Sequence, residues 1–382
     1  MSLQVSYKKQ SILGILILLI ILLAVEGLLR IDDYYNSPCI FITSNIYPEL
    51  DYGTQKQICN DYRDRAYLTG INLHYIPNQH TSTVNINNFG MRGSDITQDK
   101  PNDVYRIFLI GGSTLYGSGS TSDTTTIPGF LQERFDNSGI NQKIQVINAG
   151  IEGSSSIEEV FRIKNDLVNF DPDMIVIYHG TNDGHLDWER YTNFDSFVTP
   201  FEKKVLVFFQ AYLPEYKTPV LALYVINKIT LGTTNDSGTY EPYFKSEHMV
   251  ERSALWHDRI KGACEFGNEE GFKTVVLLQP VLGSGNKPLT EYEQNYSQTS
   301  EAIVGAQGEQ RLVDQKKRYD TFANGLVGLD NSCHTVKDLR NIFDNVPEVV
   351  YFDNAHMADY GNNIVSENIF EILKPIVLEG ND

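Results

Sequence analysis

Three features of the chain predict a three-layer α/β/α fold with a mainly parallel sheet, preceded by one N-terminal transmembrane helix. From about residue 101 onward, short apolar runs of strand length alternate with segments of helical spacing, the pattern of a parallel sheet covered on both faces. The runs are stopped by glycine, asparagine or proline, residues that end strands in turns. A separate Ile- and Leu-rich run, Ile12 to Leu29, stands alone near the N-terminus.

That run is uninterruptedly apolar from Ile12 to Val25 and continues through Glu26 and Gly27 to Leu28 and Leu29. As a helix it is about 27 Å long at about 1.5 Å per residue, close to the hydrocarbon thickness of a bilayer. Glu26 falls near the far end, where its carboxylate reaches the interface. Lys8 and Lys9 precede the run. Residues 1–11 are therefore expected in the cytoplasm, 12–29 in the membrane and everything after about residue 30 outside, in a single-pass cell-membrane protein. A cleaved signal peptide shares these features, but no small-x-small cleavage site follows, since Ala24-Val25-Glu26 leads straight into Gly27-Leu28-Leu29-Arg30. A retained anchor is the expectation.

Residues 30–100 are rich in Tyr, Asn, Asp and Thr with little periodicity, and read as an extracytoplasmic stalk or an N-terminal lobe that closes with the turn residues Asn87-Asn88-Phe89-Gly90-Met91-Arg92-Gly93. The regular domain spans 101–382. Its strands are expected at Tyr105 to Ile110, Lys143 to Ile147, Met174 to Tyr178, Lys273 to Leu278 and Val349 to Phe352, and its helices at Ile127 to Phe135, Ser156 to Phe170 and Tyr360 to Leu373. An insertion at about 187–271 exceeds what a minimal crossover needs. Its runs Val205 to Phe209 and Val220 to Ile226 read as extra helices packed on the core or as a lid or substrate wall.

With 382 residues, 41% hydrophobic and 21% charged, the chain is a packed globular protein, and a formal net charge of −18 opposes binding to nucleic acid or to an anionic membrane surface. The cysteines Cys39, Cys59, Cys264 and Cys333 are an even number in a chain expected to leave the cytoplasm. Cys39 with Cys59 is the natural local pair, whereas Cys264 and Cys333 stay open between a disulfide and two thiols. No His/Cys cluster has metal-ligand spacing, so neither a metal nor another cofactor is expected.

Four separated segments carry the chemistry: Ile110-Gly111-Gly112-Ser113-Thr114, Asn148-Ala149-Gly150-Ile151-Glu152-Gly153, Gly180-Thr181-Asn182-Asp183 and Asp353-Asn354-Ala355-His356. All follow expected strands, and ligands bind beyond the carboxyl ends of the strands in such sheets. Two glycines before Ser113 allow a tight turn that presents its hydroxyl. Ser113 can equally cap the following helix, but no Gly-Lys-Ser/Thr is present to make a phosphate-binding loop. Asp353 and His356, three residues apart, lie on one side of a single turn, so Asp353 can hold one imidazole nitrogen while the other faces Ser113. The other histidines, His74, His80, His179, His185, His248, His257 and His334, lack that combination. His179 either lines the pocket or is structural, and Asp183 supports the Asn182 loop.

In order and placement, these segments resemble the SGNH hydrolase family, the GDSL-type esterases and lipases, and specifically its membrane-anchored extracytoplasmic members; the resemblance covers roughly residues 85–375. It implies a flavodoxin-like SGNH hydrolase fold and a Ser113, His356, Asp353 triad. The Ser113 and Gly153 N–H groups and the Asn182 side chain would then form the oxyanion hole, with Gly153 in the family's place rather than Gly150. Many members have Asp immediately before the serine, where this chain has Gly112. The implied partner is an acyl ester, of acetyl foremost, on extracytoplasmic carbohydrate, lipid or other envelope material. An O-acyltransferase would use the same triad, and a glycan-binding or assembly protein would keep the fold without turnover.

Overall fold

The computed structural model describes residues 6–36, 39–63, 67–68, 73–184, 186, 188–192, 248–299 and 310–379. The runs Val205 to Phe209 and Val220 to Ile226, and His185, lie outside the described residues. Two compact units make up the chain; the N-terminal helix α1 (Tyr7–Asn36) belongs to one and the sheet to the other. In α1 the span Tyr7–Asp32 is long and apolar enough to cross a membrane, with a mean hydropathy of 3.0. Its Glu26 carboxylate pairs with Arg30 one turn later, at 2.9 Å.

The sheet has five parallel strands, β1 (Val104–Gly111), β2 (Lys143–Asn148), β3 (Met174–His179), β4 (Lys273–Leu278) and β5 (Thr335–Asp338), in the order β2-β1-β3-β4-β5. Both faces are covered because the central strands β1, β3 and β4 are almost wholly buried and largely apolar, with alternate side chains feeding opposite layers. On one face Phe108, Ile110, Ile175, Ile177 and Val276 pack with Ile163, Trp256, Ile260 and Phe322. These come from helices α3 (Ser156–Asn165), α4 (Met249–Glu270) and α5 (Gln310–Ala323). On the other, Ile107, Leu109, Val176, Val275 and Leu277 meet Leu131 and Phe135 of α2 (Ile127–Asp136) and Ile369 and Leu373 of α6 (Asp359–Glu379). A disulfide between Cys264 of α4 and Cys333 ties α4 to the approach to β5, and no described cysteine is free.

Two expectations change. The fifth strand is Thr335–Asp338, not Val349 to Phe352. Thr335 to Asp338 is short, polar and partly exposed, as an edge strand can be, so it carries no apolar signal. Val350 and Tyr351 are buried as read, but their amides find a carboxylate instead of a strand: both donate to Glu293 Oε1 at 3.1 Å. The helix expected over Ser156 to Phe170 ends at Asn165 and yields to a separate 3₁₀ turn, Leu167–Phe170.

Residues of the 40–100 region sit directly on the domain. The Arg92 guanidinium is buried, pairs with Asp123 at 2.8 Å and donates to the carbonyls of Thr83, Tyr116 and Gly117. Tyr47 donates to the Gly119 carbonyl at 2.5 Å, and Phe41 meets Phe352 edge-on with ring centroids 4.9 Å apart.

Glu293 is fully buried, and it also accepts from Thr290 and pairs with the buried Lys287 ammonium at 2.7 Å. Glu293→Ala takes the carboxylate from that cation and strands three backbone donors, and should lower the unfolding free energy by about 3–5 kcal/mol in urea titrations. A loss below about 1 kcal/mol, the range of an ordinary surface change, would show that the segment before His356 is held by something else.

Candidate active site

β1 runs out at Gly111, and Ser113 opens a four-residue helical turn, Ser113–Tyr116, after Gly112 in extended conformation. Such a turn leaves its first N–H groups without intrahelical acceptors, aimed past the end of the sheet. Gly112 is constrained by its neighbour: a Cβ there would collide with Nδ2 of Asn182. The residue type that departs from the family pattern is thus the one that lets the Asn182 amide lie against the Ser113 turn. Asn182 donates one of its amide hydrogens to the Ser154 carbonyl at 2.6 Å, and the other has no acceptor among the described residues.

Asp353 and His356 form a tight reverse turn after the Val350–Tyr351 segment. Asp353 Oδ1 accepts from the Ala355 and His356 amides at 2.9 and 2.7 Å, and Phe352 N–H donates to the His356 carbonyl at 3.2 Å. From the neighbouring helix Glu291–Thr299, Tyr292 clamps the turn by donating to the Phe352 carbonyl at 2.7 Å. The Phe352 ring stacks on the imidazole at 5.7 Å, with Phe41 behind it. Held this way, His356 Nδ1 is 2.6 Å from Asp353 Oδ2 and Nε2 is 2.6 Å from Ser113 Oγ. Because the carboxylate can only accept, the neutral ring carries its proton on Nδ1 and offers the Nε2 lone pair to the serine hydroxyl.

Electrostatics favour that polarity. Burial works to lower the His356 pKa, but the Asp353 charge and hydrogen bond, with Glu152 beyond, outweigh it, and the net shift is upward. Burial likewise works to raise the Asp353 pKa, but the His356 charge, its side-chain bond and the two amides hold the carboxyl below its usual range. The His356 side chain remains 24% exposed, so water reaches it.

The two glycines of the second segment differ in a way the sequence leaves open. Gly150 packs against the backbone of Tyr116, where a Cβ would lie 2.5 Å from the Tyr116 nitrogen, and its own N–H is spent on Asn148 Oδ1 at 3.0 Å. Gly153 has φ +73° and open space where a Cβ would stand. Among the described residues its N–H meets no acceptor.

Of the buried polar layer beneath these loops, the sequence pointed to His179 and Asp183 but not to Glu159 or Arg162. His179 lies between two carboxylates, with Nδ1 2.8 Å from Glu159 Oε1 and Nε2 bonded to Asp183 Oδ2. Ser154 Oγ donates its one hydrogen to Glu159 Oε1 at 2.8 Å and lies 3.0 Å from the Gly111 carbonyl, and Arg162 holds the Ala149 carbonyl at 2.6 Å. The spacing of His179 and Asp183 was a signal available in the sequence. Glu159 and Arg162 were not recoverable, because only the packing of α3 on the sheet brings them to the strand ends.

A serine hydroxyl hydrogen-bonded to an imidazole, itself held by a carboxylate, beside backbone and amide N–H donors, is equipped for acyl transfer. The structure is similar to that of an acetyl xylan esterase, AlAXEase, at 14% identity over 70% of this chain and 99% of that one, with a TM-score of 0.38. TesA gives 16% over 71% and 98% with a TM-score of 0.40, and the lipase/acylhydrolase from Enterococcus faecalis gives 13% over 71% and 95%, also with 0.40. No curated protein sequence matches this one. The sequence profile of the GDSL-like lipases and acylhydrolases matches residues 107–369, from within β1 to within α6 and across all four segments. The chain belongs to that family, the GDSL-like lipase/acylhydrolases, which are the SGNH hydrolases.

Proposed function

We propose that this chain is a membrane-anchored serine esterase that removes acyl groups, acetyl foremost, from carbohydrate or other envelope substrates outside the cytoplasm. The observation that carries the reading is the pair of 2.6 Å contacts joining Ser113 Oγ, His356 and Asp353. In this reading Ser113 Oγ attacks the ester carbonyl as His356 Nε2 takes its proton, and Asp353 stabilises the imidazolium. The carbonyl oxygen becomes the oxyanion among the Ser113 and Gly153 N–H groups and the free Asn182 amide hydrogen. His356 returns the proton to the departing alcohol. Water then attacks the acyl-enzyme by the same route and releases the acid. The anchor rests on α1 and on Lys8 and Lys9, with 1–11 cytoplasmic, 12–29 in the membrane, a lobe at 30–100 and the catalytic domain at 101–382.

The test is to challenge the detergent-solubilised chain with short acyl esters and a fluorophosphonate probe. Ser113 should be the labelled residue, and Ser113→Ala should abolish both labelling and turnover. Since only neutral His356 acts as base and its pKa is raised, kcat/KM should climb with pH through an apparent pKa above the ordinary histidine value of about 6.5. Label on another serine, or a midpoint well below that value, removes the assignment.

Asn182→Ala should fold normally and lose about 10²- to 10³-fold in kcat, the usual loss for one oxyanion donor. An effect confined to KM would make Asn182 a substrate-binding group instead.

For topology, protease added to intact cells should degrade the catalytic domain. A protected domain would reverse the orientation.

A further inference from the structure

We propose that Glu159, His179 and Asp183 form a positioning device that sets the oxyanion donors of Asn182 and Gly153; this rests on the reading of Ser113 as nucleophile. The contacts close a ring. Asn182 Nδ2 donates to the Ser154 carbonyl, Ser154 Oγ donates to Glu159, Glu159 meets His179 Nδ1, His179 Nε2 meets Asp183, and Asp183 is the chain neighbour of Asn182. Gly153 precedes Ser154, so both loops hang on one circuit.

The ring requires a charge at its centre. Each imidazole nitrogen faces a carboxylate oxygen, and a neutral ring has one N–H for two acceptors. Glu159 and Asp183 are fully buried, and Glu159 Oε2 has no partner among the described residues, so losing a further donor would leave a lone pair opposed to a buried anion. His179 as imidazolium satisfies both.

The surrounding charges agree. From α4, Arg252 donates to the Asp183 carbonyl at 2.9 Å, and Arg259 lies 3.8 Å from Asp183 Oδ1. Tyr191 donates to Asp183 Oδ1 at 2.7 Å, Ser156 donates to both oxygens, and α3 contributes the buried Glu158 and Arg162. Burial alone would push the His179 pKa down, but Glu159 and Asp183 raise it to about 10. Asp183 is held below the usual carboxylate range: burial opposes this, and His179, Ser156 and Tyr191 outweigh it.

The role differs from that of His356, which must be neutral to act. His179 touches no reacting atom. By holding Ser154 and Asp183 it fixes where the free Asn182 hydrogen and the Gly153 N–H lie before substrate arrives, and preorganised donors count because the oxyanion exists only in the transition state.

The test uses the full chain with a chromogenic acetyl ester. His179→Gln keeps one donor and one acceptor without the charge. It should cut kcat about 10²-fold, as loss of one oxyanion donor does, while KM and the His356-dependent rise with pH stay in place. In the wild type, ¹⁵N signals of His179 should remain those of imidazolium from neutral pH to about 9, while His356 titrates. A neutral His179 signature at neutral pH, or a wild-type kcat in His179→Gln, overturns the proposal. If His179→Gln fails to fold, Ser154→Ala breaks the ring at a hydroxyl and should still lower kcat at constant KM; undiminished kcat there overturns it too. The two readings fail separately. An unlabelled Ser113 in the wild type removes the hydrolase assignment, whereas a labelled Ser113 with intact kcat in the ring variants removes only the positioning role.

Discussion

The register of β1 against its two neighbours is the constraint on which the site depends. Leu109 stands opposite Asn148, the end of β2, and Gly111, the end of β1, opposite Tyr178, one residue before the end of β3, so the three strands run out within about three residues of each other. Parallel strands place all their carboxyl ends on one edge, and chains leaving at the same level must crowd. Three loops then compete for one small volume above the sheet. Glycine at 112 and 150 resolves the competition, because a side chain at either place would overlap Asn182 or the Tyr116 backbone. Slipping β1 by one residue would turn Phe108 and Ile110 to the wrong layer, so the two apolar faces lock the register that the loops require.

Two histidines meet carboxylates above this edge, and their surroundings give them opposite chemistry. His356 has one carboxylate partner, a serine hydroxyl on its other nitrogen and a partly exposed ring, so it can exchange a proton with water and with Ser113. His179 has a carboxylate on each nitrogen and a side chain 1% exposed, which favours a permanent cation. A mobile proton needs a partner that can accept its loss. A fixed one needs partners that cannot.

Burying so many charges is costly, and hydrophobic residues of similar volume would serve stability as well or better. What ionic and amide groups supply is direction: each bond in the layer under the loops restricts a carbonyl or amide to one orientation. The same logic governs Glu293, which replaces a missing strand neighbour for Val350 and Tyr351 and so fixes the point from which the Asp353–His356 turn departs. The region ahead of the sheet extends the support, with Phe41 behind Phe352 and Arg92 on the Ser113 turn.

The sequence by itself determined the alternation of strands and helices, the apolar N-terminal span and the four chemistry-bearing segments, because each is written in local pattern: strand-length apolar runs, a glycine pair before a serine, an Asp three residues from a His. It also marked four of the five strands. The fifth was missed since Thr335 to Asp338 is a polar edge strand, while Val349 to Phe352 is apolar through burial without being paired in the sheet. Only the tertiary structure decided which glycine of the second segment stands free, that Cys264 bonds Cys333, and that Glu159 and Arg162 come under the strand-end loops. Those outcomes depend on contacts between residues far apart in the chain. No local periodicity encodes them, because the energy that selects them is that of packing a helix on a sheet and satisfying buried charge.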